Sequence, residues 1–85
     1  MKYQISFGKK AEKQFTKLPR ATQVRLMQKI DMLAINPRPS GVTKLSGEEA
    51  IYRIRDGDYR IVYSIQDTAL MVLVVKIGHR RDIYN

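Results

Sequence analysis

Apolar and polar residues alternate with a period of two over residues 2–7, where Tyr3, Ile5 and Phe7 oppose Lys2, Gln4 and Ser6. That alternation predicts a half-buried strand. After Gly8 the period changes: Ala11, Phe15 and Leu18 fall at i, i+4 and i+7, one face of a helix, with Lys9, Lys10, Lys13 and Lys17 on the remaining surface. Pro19 suits the first turn of a new helix better than the interior of an old one. A second helix is therefore predicted over residues 19–35, burying Leu26, Met27, Ile30, Leu33 and Ala34. Asn36-Pro37 stops it, because the residue before a proline avoids the helical region. Two short consecutive helices form an αα-hairpin.

Residues 38–49 contain Pro39, Gly41 and Gly47 and read as a loop with a short extended piece at 42–45. Two alternating runs follow. Tyr52 and Ile54 oppose Arg53 and Arg55; Tyr59, Ile61, Tyr63 and Ile65 oppose Arg60. Asp56-Gly57-Asp58 between them is a turn-type cluster, so the pair reads as a β-hairpin. The central pair of the turn is either Asp56-Gly57 or Gly57-Asp58. Both registers set odd positions opposite even ones and so bring Arg53, Arg55 and Arg60 to one face. Residues 69–77, ALMVLVVKI, are apolar almost throughout and predict a strand central in the sheet and covered on both faces, with Gly78 ending it and residues 79–85 forming a polar tail. The expected architecture is α+β, ordered β-α-α-β-β-β: an antiparallel sheet with the helix pair on one face, in a single domain spanning residues 1–85. The helices must cover the Tyr52/Ile54/Ile61/Tyr63 side, which leaves the arginine side as an uncovered concavity beside the tail.

Charge sharpens this picture. The formal balance is +8, which points to a polyanionic partner, most often nucleic acid. Residues 1–47 hold ten Lys or Arg against Glu12 and Asp31, whereas residues 48–85 are balanced at six against six. Lysine predominates in the first part and arginine in the second. Lysine is a hydrated point charge, while arginine offers a planar fork suited to bidentate phosphate contact. The first half thus reads as a general attraction surface and the second as a place that holds a phosphate in defined geometry. There is no cysteine, which removes disulfides and thiolate metal sites and fits a reducing, cytoplasmic location. The longest apolar run is far too short for a bilayer span, so no membrane role is expected.

Arg53, Arg55 and Arg60 are the leading functional candidates, since neighbours on one strand face lie about 7 Å apart. A cluster of this kind is either a solvated or acidic-partner-binding face, or a set of preorganised cations that stabilises a phosphorane-like transition state. Arg80 adds a further fork. His79 and Tyr84 are the candidate proton carriers: histidine titrates near neutral pH, and neighbouring positive charge favours a phenolate. Tyr84 is equally suited to stacking on a base. Asp56 and Asp58 flank a turn glycine, where aspartate is favoured for backbone reasons. No metal-ligand spacing, P-loop or GxGxxG is present, so neither a metal nor another cofactor is expected.

Residues 44–49 (KLSGEE), 52–65 (YRIRDGDYRIVYSI) and 77–84 (IGHRRDIY) together resemble the RelE/ParE superfamily of bacterial and archaeal toxins, and the likeness spans nearly the whole chain. The resemblance implies a toxin of a type II toxin–antitoxin module, silenced by an acidic RelB-like antitoxin that wraps it and meeting operator DNA only through that antitoxin. Its RelE branch implies a ribosome-dependent mRNA endonuclease that cuts in the A site without metal. The RNA's own 2′-OH attacks the adjacent phosphate, leaving a 2′,3′-cyclic phosphate and a free 5′-OH. By resemblance Arg60 and Arg80 match phosphate-binding arginines, and Tyr84 matches a C-terminal tyrosine that acts on the 2′-OH proton or stacks on substrate. Arg53, Arg55, Arg81 and Lys44 are further candidate RNA contacts. Lys9, Lys10, Lys13, Lys17, Arg25 and Lys29 become the candidate surface for ribosomal RNA, a salt-sensitive contact. Arg53 and Arg55 fall where some members carry lysine, and arginine effectively cannot give up its proton. A base supplied by such a lysine elsewhere must here be replaced by Tyr84 or His79.

Two other readings stay open at this level. The ParE branch shares the fold and inhibits DNA gyrase without cutting RNA. A binding module with no enzymatic activity, working with its antitoxin, would have the same basic face.

Overall fold

The computed structural model describes residues 2–45 and 50–79. Strand β1 (Gln4–Phe7) leads through Gly8 into helices α1 (Lys9–Thr16) and α2 (Arg20–Ile35). Strands β2 (Thr43–Lys44), β3 (Ile51–Asp56), β4 (Tyr59–Gln66) and β5 (Met71–His79) follow. The sheet order is β1-β5-β4-β3-β2. The α+β class and the helix pair agree with the sequence pattern, and β2 is the short extended piece expected in the loop.

Three details differ from expectation, each for a local reason. The sheet is mixed, because β1 runs parallel to β5 (Ile5 beside Val72, Phe7 beside Val74) while the other pairings are antiparallel. Period-two patterning fixes which face a side chain takes, not the direction of the neighbouring strand. The middle strand of the five is β4 rather than β5; four consecutive β4 residues from Arg60 to Tyr63 are buried. Finally, Gly78 does not end β5, which continues through His79. Gly78 stands opposite Arg60.

The core lies between the helices and one sheet face. Ala11, Leu26, Ile30 and Leu33 pack against Tyr52, Ile54, Ile61, Tyr63, Ile65, Val72, Val74 and Ile77, the face that alternation assigns to the helices. Truncating a buried Leu or Ile in such a layer to Ala costs about 2–5 kcal/mol. Helix ends are tied by side chains. Gln23 donates through Nε2 to the carbonyls of Leu18 (2.9 Å) and Thr16 (3.3 Å), satisfying acceptors that the end of α1 leaves open. Past Phe7 the first strand peels away from β5, and Gln14 Oε1 accepts from the Ile77 N–H at 2.8 Å, so α1 takes over as partner for that edge.

Candidate functional site

The hairpin turn decides the geometry of the arginine face. Asp56 pairs with Tyr59, so Gly57 and Asp58 are the central residues. Gly57 has φ 63°, as the first central position of a tight hairpin turn requires. Arg55 then lies opposite Arg60, and Arg53 opposite Val62. Across the next ladder Arg60 faces Gly78 and Val62 faces Lys76. Residues directly opposite share a face, so Arg53, Arg55, Arg60 and Lys76 gather on the side away from the helices. Directly opposed neighbours there have Cβ atoms about 5 Å apart.

Lys76 was not among the residues singled out from sequence. In strict alternation it would share the phase of Val72 and Val74 and point into the core. The β4–β5 register shifts between Val62 and Tyr63, leaving Val75 as an extra residue on β5. A bulge of this kind reverses the phase beyond it, which turns Lys76 out to the arginine face and lets Ile77 enter the core. A lysine at a core-phase position in an otherwise apolar strand was the available signal.

The arginine face is also less open than expected. Arg60 is 4 % exposed and Val62 8 %, and Arg60 is the sole buried charged side chain among the described residues. Its burial does not come from the helical layer, which lies on the other face. Its Nη1 donates to the Tyr59 carbonyl at 3.4 Å. Arg55 remains exposed and Arg53 is half-buried.

His79 is not brought to this face. It pairs with Tyr59 on the helix side, their rings meeting edge-on at 5.7 Å. Both line a cavity of about 250 Å³ with Gln14, Lys17, Leu18, Ile77 and Gly78. Reading Gly78 as a strand end had placed His79 in the tail; in fact the strand continues and alternation carries the imidazole to the opposite side. Lys44 pairs with Tyr52 and so falls in the Tyr52 phase, away from Arg53. Arg80, Arg81 and Tyr84 lie outside the described residues, as do residues 46–49.

Lys9, Lys10, Lys13, Lys17, Arg25 and Lys29 are all exposed on α1, α2 and the link between them. They form a second basic surface on the helical side of the sheet, which reaches the edge of β3 at Lys29, in one cavity with Arg55. Arg25 Nε is engaged with Asp56 Oδ2 at 3.2 Å. A separate polar cluster occupies the other end of the sheet. Arg38 Nη2 meets Asp67 Oδ2 at 2.9 Å, Arg38 Nε donates to the Tyr52 hydroxyl at 3.2 Å, and the Tyr3 hydroxyl donates to Asp67 Oδ1 at 2.6 Å. Hydrogen bonds from Arg38 and then Tyr3 hold the Asp67 carboxyl below the ordinary carboxylate value. The same carboxylate raises the Tyr3 phenol. Buried Tyr63, raised chiefly by desolvation, donates to the Pro37 carbonyl at 2.7 Å. This cluster ties β1, the loop after α2, β3 and β4 together and is structural. Among the described residues no three His, Cys, Asp or Glu side chains group as metal ligands, and no helix is long and apolar enough to cross a membrane.

Comparison with known proteins now gives this face a context. The family model for the ParE toxin of type II toxin–antitoxin systems, parDE, matches residues 5–84. The chain belongs to the RelE/ParE toxin superfamily. A RelE-like toxin protein of Escherichia coli is 37 % identical over 90 residues, covering 100 % of this chain and 93 % of the relative. The mRNA interferase toxin RelE of Escherichia coli K12 is 32 % identical over 82 residues, covering 94 % and 85 % of the two chains. The RelE chain in the crystal structure of the archaeal RelE–RelB complex from Pyrococcus horikoshii superposes with a TM-score of 0.82 at 32 % identity, over 94 % of this chain and 97 % of that one. This protein is accordingly a toxin of a toxin–antitoxin system of the RelE/ParE type. The family model carries the ParE name while these relatives carry the RelE name.

Proposed function

We propose that this toxin is a ribosome-dependent mRNA endoribonuclease that cuts in the A site by attack of the RNA 2′-OH on the adjacent phosphate. The observation that carries this reading is the convergence of Arg53, Arg55, Arg60 and Lys76, from three strands, on one sheet face. The relative named an mRNA interferase supports it. In the reaction the bond from the 2′-oxygen to phosphorus forms, the bond from phosphorus to the 5′-oxygen breaks, and a 2′,3′-cyclic phosphate remains. Arg60, with Arg80, grips the phosphate oxygens on which charge develops, and Arg53, Arg55 and Arg81 neutralise the surrounding backbone. Fixed guanidinium groups aimed at developing charge cost no reorganisation during the step. Tyr84 acts at the 2′-OH proton or stacks on the substrate; His79, on the other side of the sheet, does not share that task.

Ribosome dependence follows from the same composition. A site built mainly from positioned cations lacks a strong general base at neutral pH and gains most when something else holds the RNA in line. Orientation is worth roughly 7–11 kcal/mol in favourable cases. The exposed cations of α1 and α2 supply the docking surface for ribosomal RNA. The partner that silences the toxin is an acidic antitoxin, and operator DNA is met through it; the solved RelE–RelB complex and the Escherichia coli RelBE toxin–antitoxin complex support an antitoxin partner. The site of action is cytoplasmic.

A second reading is kept because the matching family model is named for ParE: inhibition of DNA gyrase without RNA cleavage. Purified ribosomes carrying a defined message separate the two when run beside a gyrase supercoiling assay. The nuclease reading expects A-site fragments with 2′,3′-cyclic phosphate ends, abolished by a 2′-deoxy substitution at the scissile nucleotide, and unimpaired supercoiling. Blocked supercoiling with an intact message assigns the gyrase function. Neither effect leaves a purely adhesive module.

A further inference from the structure

We infer that the open edge of β3 is a second phosphate subsite, taking a neighbouring phosphodiester of the RNA strand held on the arginine face; this rests on the RNA reading above. β2 pairs only with Tyr52 and Arg53, whereas β3 continues to Asp56. The Leu45 N–H donates to the Ile51 carbonyl at 2.8 Å, while on the other side Ile65 N–H donates to the Ala50 carbonyl at 2.9 Å. Backbone groups alternate sides along a strand, so those of Ile51, Arg53 and Arg55 point toward β2. At Arg55 there is no β2 residue to meet them. A cavity of about 190 Å³ stands there instead, lined by Lys29, Ser40, Gly41, Ile54 and Arg55.

The lining suits an anion. Lys29 from α2, the Ser40 hydroxyl from the loop and Arg55 from β3 are all exposed, and among the described residues none of the three side chains takes part in an ion pair or side-chain hydrogen bond. The nearest carboxylate along the strand, Asp56, is already engaged by Arg25, one helical turn before Lys29. Two cations share one concavity with no described carboxylate between them, which raises the local potential for an anion. The cavity meets the arginine face at Arg55, a lining residue whose cross-strand partner is Arg60. Lys29 thus faces the substrate path rather than serving solely as part of a ribosome-docking surface.

The test is binding of 2′-O-methyl RNA, which cannot be cut, to the full chain and its variants, with affinity followed against salt. The probes are a hexanucleotide and a dinucleotide with a single internucleotide phosphate. For the hexanucleotide, Lys29→Ala should lower the slope of log affinity against log salt by about 0.7, one single-strand phosphate contact, equally across base sequences. Lys29→Arg should restore it, and Ser40→Ala should weaken binding without changing the slope. The dinucleotide, filled at Arg60, should be indifferent to Lys29→Ala. Loss of binding in Arg60→Gln with none in Lys29→Ala overturns the subsite alone. So does an equal loss on both probes, or a loss confined to antitoxin affinity, which would assign the edge to a peptide. A chain whose binding ignores Arg60→Gln and Lys29→Ala alike overturns the RNA reading as well.

Discussion

Arg55 and Arg60 stand directly opposite one another across the β3–β4 hairpin, two like charges at the closest cross-strand spacing a sheet offers. Like charges directly opposite one another cost a sheet stability. Replacing Arg55 by Thr, a good strand former, should raise stability by a few tenths to about 1 kcal/mol while weakening RNA binding. Urea midpoints of the two proteins check this; a lower midpoint for Arg55→Thr would mean that the pair is not under electrostatic stress.

Lys76 should behave as a member of the same charge set. Lys76→Ala is expected to reduce cleavage and binding together, and Lys76→Arg to retain most of both, since the demand is for a cation at that register position. Rates and affinities measured side by side distinguish this from a folding defect, which the Arg variant would not rescue.

Much of this was legible in the amino-acid pattern. The alternation of Tyr52, Ile54, Ile61 and Tyr63 against Arg53, Arg55 and Arg60 specified the hairpin faces whichever turn was used, and the spacing of Leu26, Ile30 and Leu33 specified the buried side of α2. The bulge at Val75 leaves a single trace in the pattern, Lys76 in the core phase of an apolar strand, and strict alternation passes over it; the bulge turns Lys76 to the arginine face. The same strand hid His79, since a glycine near a strand end reads as a stop, whereas β5 runs on through Gly78 to His79. The burial of Arg60 depends on tertiary surroundings that alternation does not encode. Nor did the polar cluster of Arg38, Asp67 and Tyr3 announce itself, its members being up to 64 positions apart.

Because His79 packs with Tyr59 on the helix side, it should not set the pH dependence of cleavage. His79→Asn is expected to leave the pH profile of single-turnover cleavage unshifted. Disappearance of an ionisation near neutrality in that variant would return the imidazole to the reaction.

Asp67 should mark the acid limit of stability. Its carboxyl is held below the ordinary value by Arg38 first and Tyr3 second. The contribution is therefore complete above the unfolded carboxylate value, about 4, and lost as pH falls through the lower folded value. Denaturation of the wild type and Asp67→Asn should show the widest gap in midpoint at about pH 6 and a closing gap toward about pH 2. A gap independent of pH would show that the ion pair with Arg38 contributes nothing through charge.

In the proposed mechanism the arginine face acts on an RNA phosphate, and mapping mRNA 5′ ends on translating ribosomes tests that most directly. Exposure to the wild-type toxin should yield cuts in phase with codons in the A site, and Arg60→Gln, verified as folded, should abolish them. Undiminished codon-phased cutting by Arg60→Gln, or growth arrest by the wild type with no new 5′ ends, would contradict it.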